Sequence, residues 1–198
     1  MAPMSTRNAA FNPVLLELPD RIDTARLLVR APRPGDGLTV YASVVETLED
    51  LRRFPASMNW ATEEPAVEKS EEFCRRGAAS WVLRTDFPML IFRRDNGAHV
   101  GNCGLHRFNW QTRVFEIGWW GRKSQQGNGF ITEAASAVTR FAFEHLGARR
   151  VWCKGDEENA RSSRLAERVG YVYEGTLRSD ECDADGTRRN MRVYATTT

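Results

Sequence analysis

Little in this sequence could build a metal centre or a disulfide frame. Its four cysteines (Cys74, Cys103, Cys153, Cys182) stand far apart with no Cys-x-x-Cys pair, and His99, His106 and His145 are scattered. Such cysteines read as separate reduced thiols, so no metal and no disulfide is expected. Charge of one sign is also scarce. The net charge is only +2 and no dense Lys/Arg block occurs, which argues against a direct nucleic-acid partner. No apolar run approaches the length of a membrane span, and Arg7 is not followed by the apolar stretch of a signal peptide. Internal repeats, low-complexity tracts, a Walker lysine and Rossmann glycine spacing are missing too. The expectation is a single cytoplasmic domain, since 198 residues with 41% hydrophobic and 27% charged content can bury a sizeable core.

What is present is a mixture of strand and helix patterns. Residues 26–30 read as a strand closed by Pro32 and Pro34, and Asp36 is placed to cap the helix predicted over 38–54. A second helix is expected over 64–80. Strands follow over 87–92, 99–108 and 114–120, with Asp95-Asn96-Gly97 as a hairpin turn. A long helix ends at Gly147, with Ile131, Ala134, Ala135, Val138, Phe141 and Ala142 as its buried stripe. A strand over 149–154, a helix from its N-cap Asn159 to Gly170, and strands over 171–177 and 191–195 complete the chain. Three consecutive strands in the middle favour a mostly antiparallel α/β sheet over a doubly wound parallel one.

The stretch from Phe115 to Ala135 organises the rest. It reads as an apolar strand (Phe115-Glu116-Ile117-Gly118-Trp119-Trp120-Gly121), a polar glycine-rich turn (Gln126-Gly127-Asn128-Gly129-Phe130-Ile131), and the start of an amphipathic helix. A helix start after such a turn points free N–H groups and its positive dipole end outward, which suits a phosphate.

These pieces, in this order, resemble the GNAT family of acetyl-CoA-dependent N-acetyltransferases, in the branch of the ribosomal-protein alanine N-acetyltransferases. The likeness runs from Arg26 to Tyr194. It includes Thr24-Ala25-Arg26-Leu27-Leu28-Val29-Arg30, Glu116-Ile117-Gly118-Trp119-Trp120, the glycine turn, Asn159-Ala160-Arg161-Ser162 through Arg168-Val169-Gly170-Tyr171, and Tyr173-Glu174-Gly175-Thr176-Leu177-Arg178. The resemblance implies a single-domain GNAT fold over 21–198 after a flexible segment, 1–20. About six to seven strands, splayed at the cofactor site, would be flanked by about four helices. Backbone groups around Trp119, Trp120 and Gly121 would pair with the pantetheine arm of acetyl-CoA. The turn from Gln126 to Ile131 would hold the pyrophosphate through main-chain N–H groups, and Asn159 would reach the pantetheine. Ile131 departs from the family's usual glycine or alanine, so its side chain must point away from the phosphates. Asn190 stands where the branch often has aspartate.

The resemblance also implies a chemistry: a neutral amine attacks a thioester directly in a ternary complex. With reference values of about 8 for an α-amine and about 10.4 for lysine, roughly a tenth of α-amines are neutral at pH 7 against well under a thousandth of lysines. A carboxylate acting through water is adequate for an α-amine. Glu181 matches the branch's proposed general base, although it also reads as an exposed acid beside Asp180 and Asp183. Glu116 is the rival base; its plain alternative is a strand carboxylate paired with an arginine. Ser162 matches the branch's acid, and Ala166 stands where many relatives carry an acidic tyrosine. The plain alternative for Ser162 is a hydroxyl bonded back to the carbonyl four residues earlier. Trp60 and Phe73 fall in segments that wall the acceptor site in the family, with ordinary core packing as the alternative. The expected acceptor is an amine-bearing partner, a protein N-terminus or a small molecule such as a drug, polyamine or aminoacyl nucleotide. A non-catalytic acyl-CoA-binding domain is the contrasting possibility. Either a monomer or a homodimer is compatible with the chain.

Overall fold

The computed structural model describes residues 11–198. Its strands and helices are, in order, β1 (Arg21–Asp23), β2 (Leu27–Arg30), α1 (Gly37–Arg52), α2 (Val67–Leu83), β3 (Phe87–Arg93), β4 (His99–Asn109), β5 (Val114–Gly121), α3 (Phe130–Leu146), β6 (Arg150–Asp156), α4 (Ala160–Val169), β7 (Val172–Cys182) and β8 (Arg188–Thr197). Eight strands form one sheet in the order β1-β2-β3-β4-β5-β6-β8-β7. Every neighbouring pair is antiparallel except β5 and β6. The architecture is the expected one with one strand more than the seven read from sequence. The extra strand is β1, whose Arg-Ile-Asp offers a single apolar residue and no alternation to recognise.

Helices cover both faces of the sheet. Alternate residues of the central strands, including Met89, Leu105, Phe115 and Ile117, pack against Phe130, Ala134, Val138 and Phe141 of α3. The small alanines let α3 lie close to the sheet, as its periodicity implied. On the other face, Val40, Val44 and Leu51 of α1 meet Cys74 of α2, Leu90 of β3 and the edge of Trp120. Trp119 packs on the α3 side, so adjacent tryptophans face opposite ways, as strand geometry requires. Of the expected flexible segment, residues 1–10 lie outside the described ones. Residues 11–20 run along the domain, where Phe11 packs on Trp110 and the Arg113 guanidinium, and Arg84 donates to the Leu16 carbonyl.

Two local expectations are corrected. Asp36 precedes α1 but makes no side-chain cap. Its carboxylate instead takes both terminal nitrogens of Arg30, at 2.7 and 2.8 Å, and the Arg33 N–H. A bidentate charge-assisted pair is stronger than a neutral cap bond, so the arginine wins. Glu71 of α2 supplies the missing cap by accepting from the N–H groups of Gly35 and Gly37. The second helix begins at Val67 rather than at 64, because Pro65 holds the residue before it extended.

Buried between α1 and β4, His99 faces Ser43 Oγ at Nδ1 (2.8 Å) and Asn102 Oδ1 at Nε2 (3.0 Å). Burial pushes its pKa down to about 4 from 6.5, against the smaller upward effect of Asn102. Between those two values the unfolded chain binds a proton that the folded chain refuses. Stability therefore falls as pH drops from about 6.5 toward 4, by up to about 3 kcal/mol. Thermal denaturation across that window is expected to show this loss, and His99→Gln to flatten it. An unchanged pH dependence in the variant would mean that other groups dominate.

Candidate functional site

The site begins where the sheet opens. β5 pairs with β6 only from Val114 to Glu116, opposite Arg150 to Trp152. β6 stays paired with β8 along its whole length, from Arg150 through Asp156. From Ile117 to Gly121, β5 keeps β4 on one side and, among the described residues, has no strand on the other. Main-chain groups at Trp119 and Gly121 therefore border a gap into which an extended, amide-bearing chain could pair.

At the end of that gap lies the glycine turn. Gly127 and Gly129 take φ of +80° and +74°, a left-handed region that side-chain-bearing residues rarely enter. Successive N–H groups then converge at the first turn of α3, which no side chain caps. The turn is held in place from several directions. Asn128 donates to the carbonyls of Gln125 and Gln126, at 3.2 and 3.1 Å, and Arg26 donates to the Asn128 carbonyl while pairing with Glu133. Glu46 of α1 accepts from the Ser124 N–H and from Arg122. Burial raises the Glu46 carboxyl, but those hydrogen bonds outweigh it and leave it below the usual carboxylate range. The side chain of Ile131 leans on Gly121: a Cβ there would come within 2.9 Å of Ile131 Cγ1. The departure at Ile131 is thus absorbed by a residue with no side chain, and the N–H groups stay free.

A cavity of about 760 Å³ follows this turn between the end of α1 and α4. Trp119, Trp120, Gly121, Gln126, Gly127, Gly129, Phe130, Ile131, Asn159 and Ser162 all line it, together with Arg53, Arg161, Arg164 and Arg168. Those four arginines were missed by sequence reasoning. Three of them, at 161, 164 and 168, share one face of α4 and so carried a legible signal; Arg53 is brought in only by tertiary packing. Free N–H groups at a helix start, a one-sided strand edge and four cations suit a pyrophosphate carrying an extended pantetheine arm.

The acid and base candidates fare differently. Asn159 caps α4 by accepting from the Ser162 N–H at 3.1 Å. The Ser162 hydroxyl has no hydrogen-bond partner among the described residues, including the carbonyl four residues back, and lies beside Gly155 at the cavity wall. Glu116 is buried with both oxygens taken by Arg107, as in its plain reading. That pairing holds the Arg107 guanidinium above its ordinary range. Glu181 is half-buried on β7 and bound by Lys154, which also contacts Asp180 at 2.8 Å. Neither carboxylate lines this cavity or the second one described below. Burial would lower the Lys154 ammonium, but its two acids outweigh that and raise it.

A second cavity of about 700 Å³ lies across the sheet, between α1, α2 and the strands β3–β5. It shares Met58, Trp119 and Trp120 with the first. Trp60 and Phe73 stand on its wall at 45% and 37% exposure, so neither is a core aromatic. The Trp60 ring lies 6.1 Å from that of Trp120. Burial pushes the thiols of Cys74 and Cys153 up to about 12 and that of Cys103 higher still. These three are unfit as nucleophiles near neutral pH. Among the described residues no cluster could hold a metal ion, and no helix is long and apolar enough to cross a membrane.

Comparison with known proteins agrees with this geometry. The family model described as an acetyltransferase (GNAT) domain matches residues 26–172. The ribosomal-protein-serine acetyltransferase of Escherichia coli is 30% identical over 129 residues, covering 63% of this chain and 69% of that protein. The structure of RimL, a ribosomal L7/L12 alpha-N-protein acetyltransferase in complex with coenzyme A, superposes with a TM-score of 0.81 at 18% identity, covering 89% of this chain and 97% of that one. The microcin C7 self-immunity acetyltransferase MccE, solved with acetyl-CoA and AMP, superposes with a TM-score of 0.80 at 17% identity, covering 88% and 94%. The splayed strand, the glycine turn and these matches converge: the chain belongs to the GNAT family as an acetyl-CoA-dependent N-acetyltransferase related to the ribosomal-protein acetyltransferases.

Proposed function

We propose that this enzyme transfers acetyl from acetyl-CoA to the α-amine of a protein N-terminus or aminoacyl compound. The observation that carries the reading is the free edge of β5 from Ile117 onward, ending at the glycine turn with Ser162 in the same cavity. The turn from Gln126 to Ile131 holds the pyrophosphate, Trp119 to Gly121 and Asn159 bind the pantetheine, and the thioester lies at the strand gap. Its carbonyl oxygen, as charge develops, faces main-chain N–H groups of β5. Ser162 supplies the proton to the departing thiolate. Glu181 receives the amine's proton through water, while Lys154 stays with Asp180.

An acceptor panel assayed by free-thiol release tests this reading: alaninamide, a peptide with a free N-terminus, spermidine and an aminoacyl sulfamoyl adenosine. Faster turnover of α-amines than of spermidine supports it. Glu181→Gln is expected to lower kcat by about tenfold with the Kd for acetyl-CoA within twofold. A wild-type kcat in that variant removes Glu181 from the proton path.

A second reading rests on Trp60 and Phe73, which are exposed on the wall of the acceptor cavity rather than buried. A flat ring could stack there, and MccE was solved with AMP. If the aminoacyl nucleotide is the favoured acceptor, Trp60→Ala raises its KM and leaves that of alaninamide unchanged.

A further inference from the structure

Of three histidines that look unrelated in sequence, one stands inside the acceptor cavity. His106 lies on β4 directly across from Glu116 on β5, at the cavity floor. The next cross-strand pair on that face is Gly104 and Gly118, and the imidazole lies over this bare stretch. A Cβ at Gly104 would stand 2.9 Å from His106 Nε2, and one at Gly118 would stand 3.6 Å from Cδ2. The other nitrogen, Nδ1, is 2.7 Å from Oδ1 of Asp86, in the turn between α2 and β3. An ionised carboxylate only accepts, so this contact keeps the ring proton on Nδ1 and leaves a lone pair on Nε2. Among the described residues Nε2 has no hydrogen-bond partner.

The two carboxylates reached from sequence are worse placed to touch an amine in this cavity. Both Glu116 oxygens are held by Arg107, and Glu181 is held by Lys154 and lines neither cavity. Gly118, under the imidazole, is followed immediately by Trp119, which the two cavities share. A group at Nε2 therefore faces the segment of β5 that borders the strand gap.

We infer that His106, oriented by Asp86, takes the proton directly from the attacking amine. This rests on the acetyl-transfer reading and puts Glu181 one water further along the same path. The amine lone pair forms the C–N bond to the thioester carbonyl carbon, the carbonyl π pair moves to oxygen, and the nitrogen's surplus proton passes to Nε2. On collapse the C–S bond breaks with its electron pair on sulfur, which takes a proton from Ser162. Solvent reprotonates the serine, and the imidazolium returns its proton to solvent past Glu181. Asp86 stabilises the imidazolium while it exists and is a positioning residue.

The imidazole must be neutral to act, and so must the amine, so the histidine's part in the pH profile is read from kcat/KM expressed per neutral amine. The charges around it are Asp86 from the α2–β3 turn, Arg107 on β4 with its partner Glu116 on β5, and Lys69, Glu63, Glu64 and Glu72 lining the cavity from the α2 side.

The test uses the full chain with acetyl-CoA and the best amine of the panel, read by thiol release. His106→Gln is expected to lose about 10²-fold in kcat/KM and the acid limb that remains once kcat/KM is expressed per neutral amine, with acetyl-CoA affinity within twofold of wild type. Added imidazole restores part of the rate in His106→Ala. Asp86→Asn moves the acid limb to lower pH, which a purely structural role would not do. Wild-type kcat/KM in His106→Gln, with the acid limb per neutral amine intact, overturns the inference, and so does a loss in His106→Ala that imidazole leaves untouched. A wild-type enzyme that binds acetyl-CoA yet releases no thiol with any amine overturns the acetyl-transfer reading itself.

Discussion

Replacing Ser162 by alanine is expected to lower kcat by about 10²–10³-fold and to leave the Kd for acetyl-CoA within twofold. Coenzyme A leaves as a thiolate unless a proton meets it, so an acid at sulfur speeds collapse of the tetrahedral adduct. Ser162 is suited to this by position. Its N–H is fixed by Asn159, and on the cavity wall its hydroxyl has no partner among the described residues instead of bonding back along the helix. Ala166, one turn later, has no proton to give and is buried. With the ligand held by main-chain groups and arginines, as proposed, a missing hydroxyl would remove one small contact, so binding should survive while turnover does not. Stopped-flow turnover with a parallel calorimetric titration of acetyl-CoA separates the two. A kcat within threefold of wild type would assign the proton to water instead.

Gly129→Val is expected to act in the opposite way, weakening acetyl-CoA binding about 100-fold, or about 2.7 kcal/mol. The cause is conformational rather than steric. The nearest atom to a Cβ at this position is Arg26 Nη2 at 3.7 Å, an ordinary contact. The backbone, however, sits at φ +74° as the cap of α3, where a β-branched residue is a strong outlier. To escape, the turn must rotate, and the N–H groups of residues 130–132 rotate with it. The turn lies at the surface and α3 is anchored by Phe130, Ala134 and Val138, so the fold persists with a small drop in Tm. Gly129→Ala should lose less, about tenfold, because alanine tolerates the left-handed region better than valine. Equal affinity in wild type and the valine variant would show that the main-chain grip is not where acetyl-CoA is held.

Much of the fold was legible because it rests on local periodicity. The buried stripe of α3, the Asn159 cap and the β3–β4 hairpin are written in residue spacing alone. The glycine turn was legible for a related reason, since two left-handed residues flanking a helix start need glycine. Partners of charged groups were not. Asp36 has the position of a cap, yet Arg30 takes it and Glu71 from the next helix does the capping. His106 looked isolated because its carboxylate lies 20 residues away, on a turn whose proximity no local pattern records.

The chain alone determined its helices, most of its strands, its turn chemistry and its family, because each follows from short-range spacing and backbone preference. Only the tertiary structure decided which carboxylates are held by cations, where β5 parts from β6, and which imidazole lines the cavity between α1, α2 and the sheet. A charge or a lone pair acts on whatever the packed sheet brings within a few ångströms, and that neighbour is set by strand register across the whole fold.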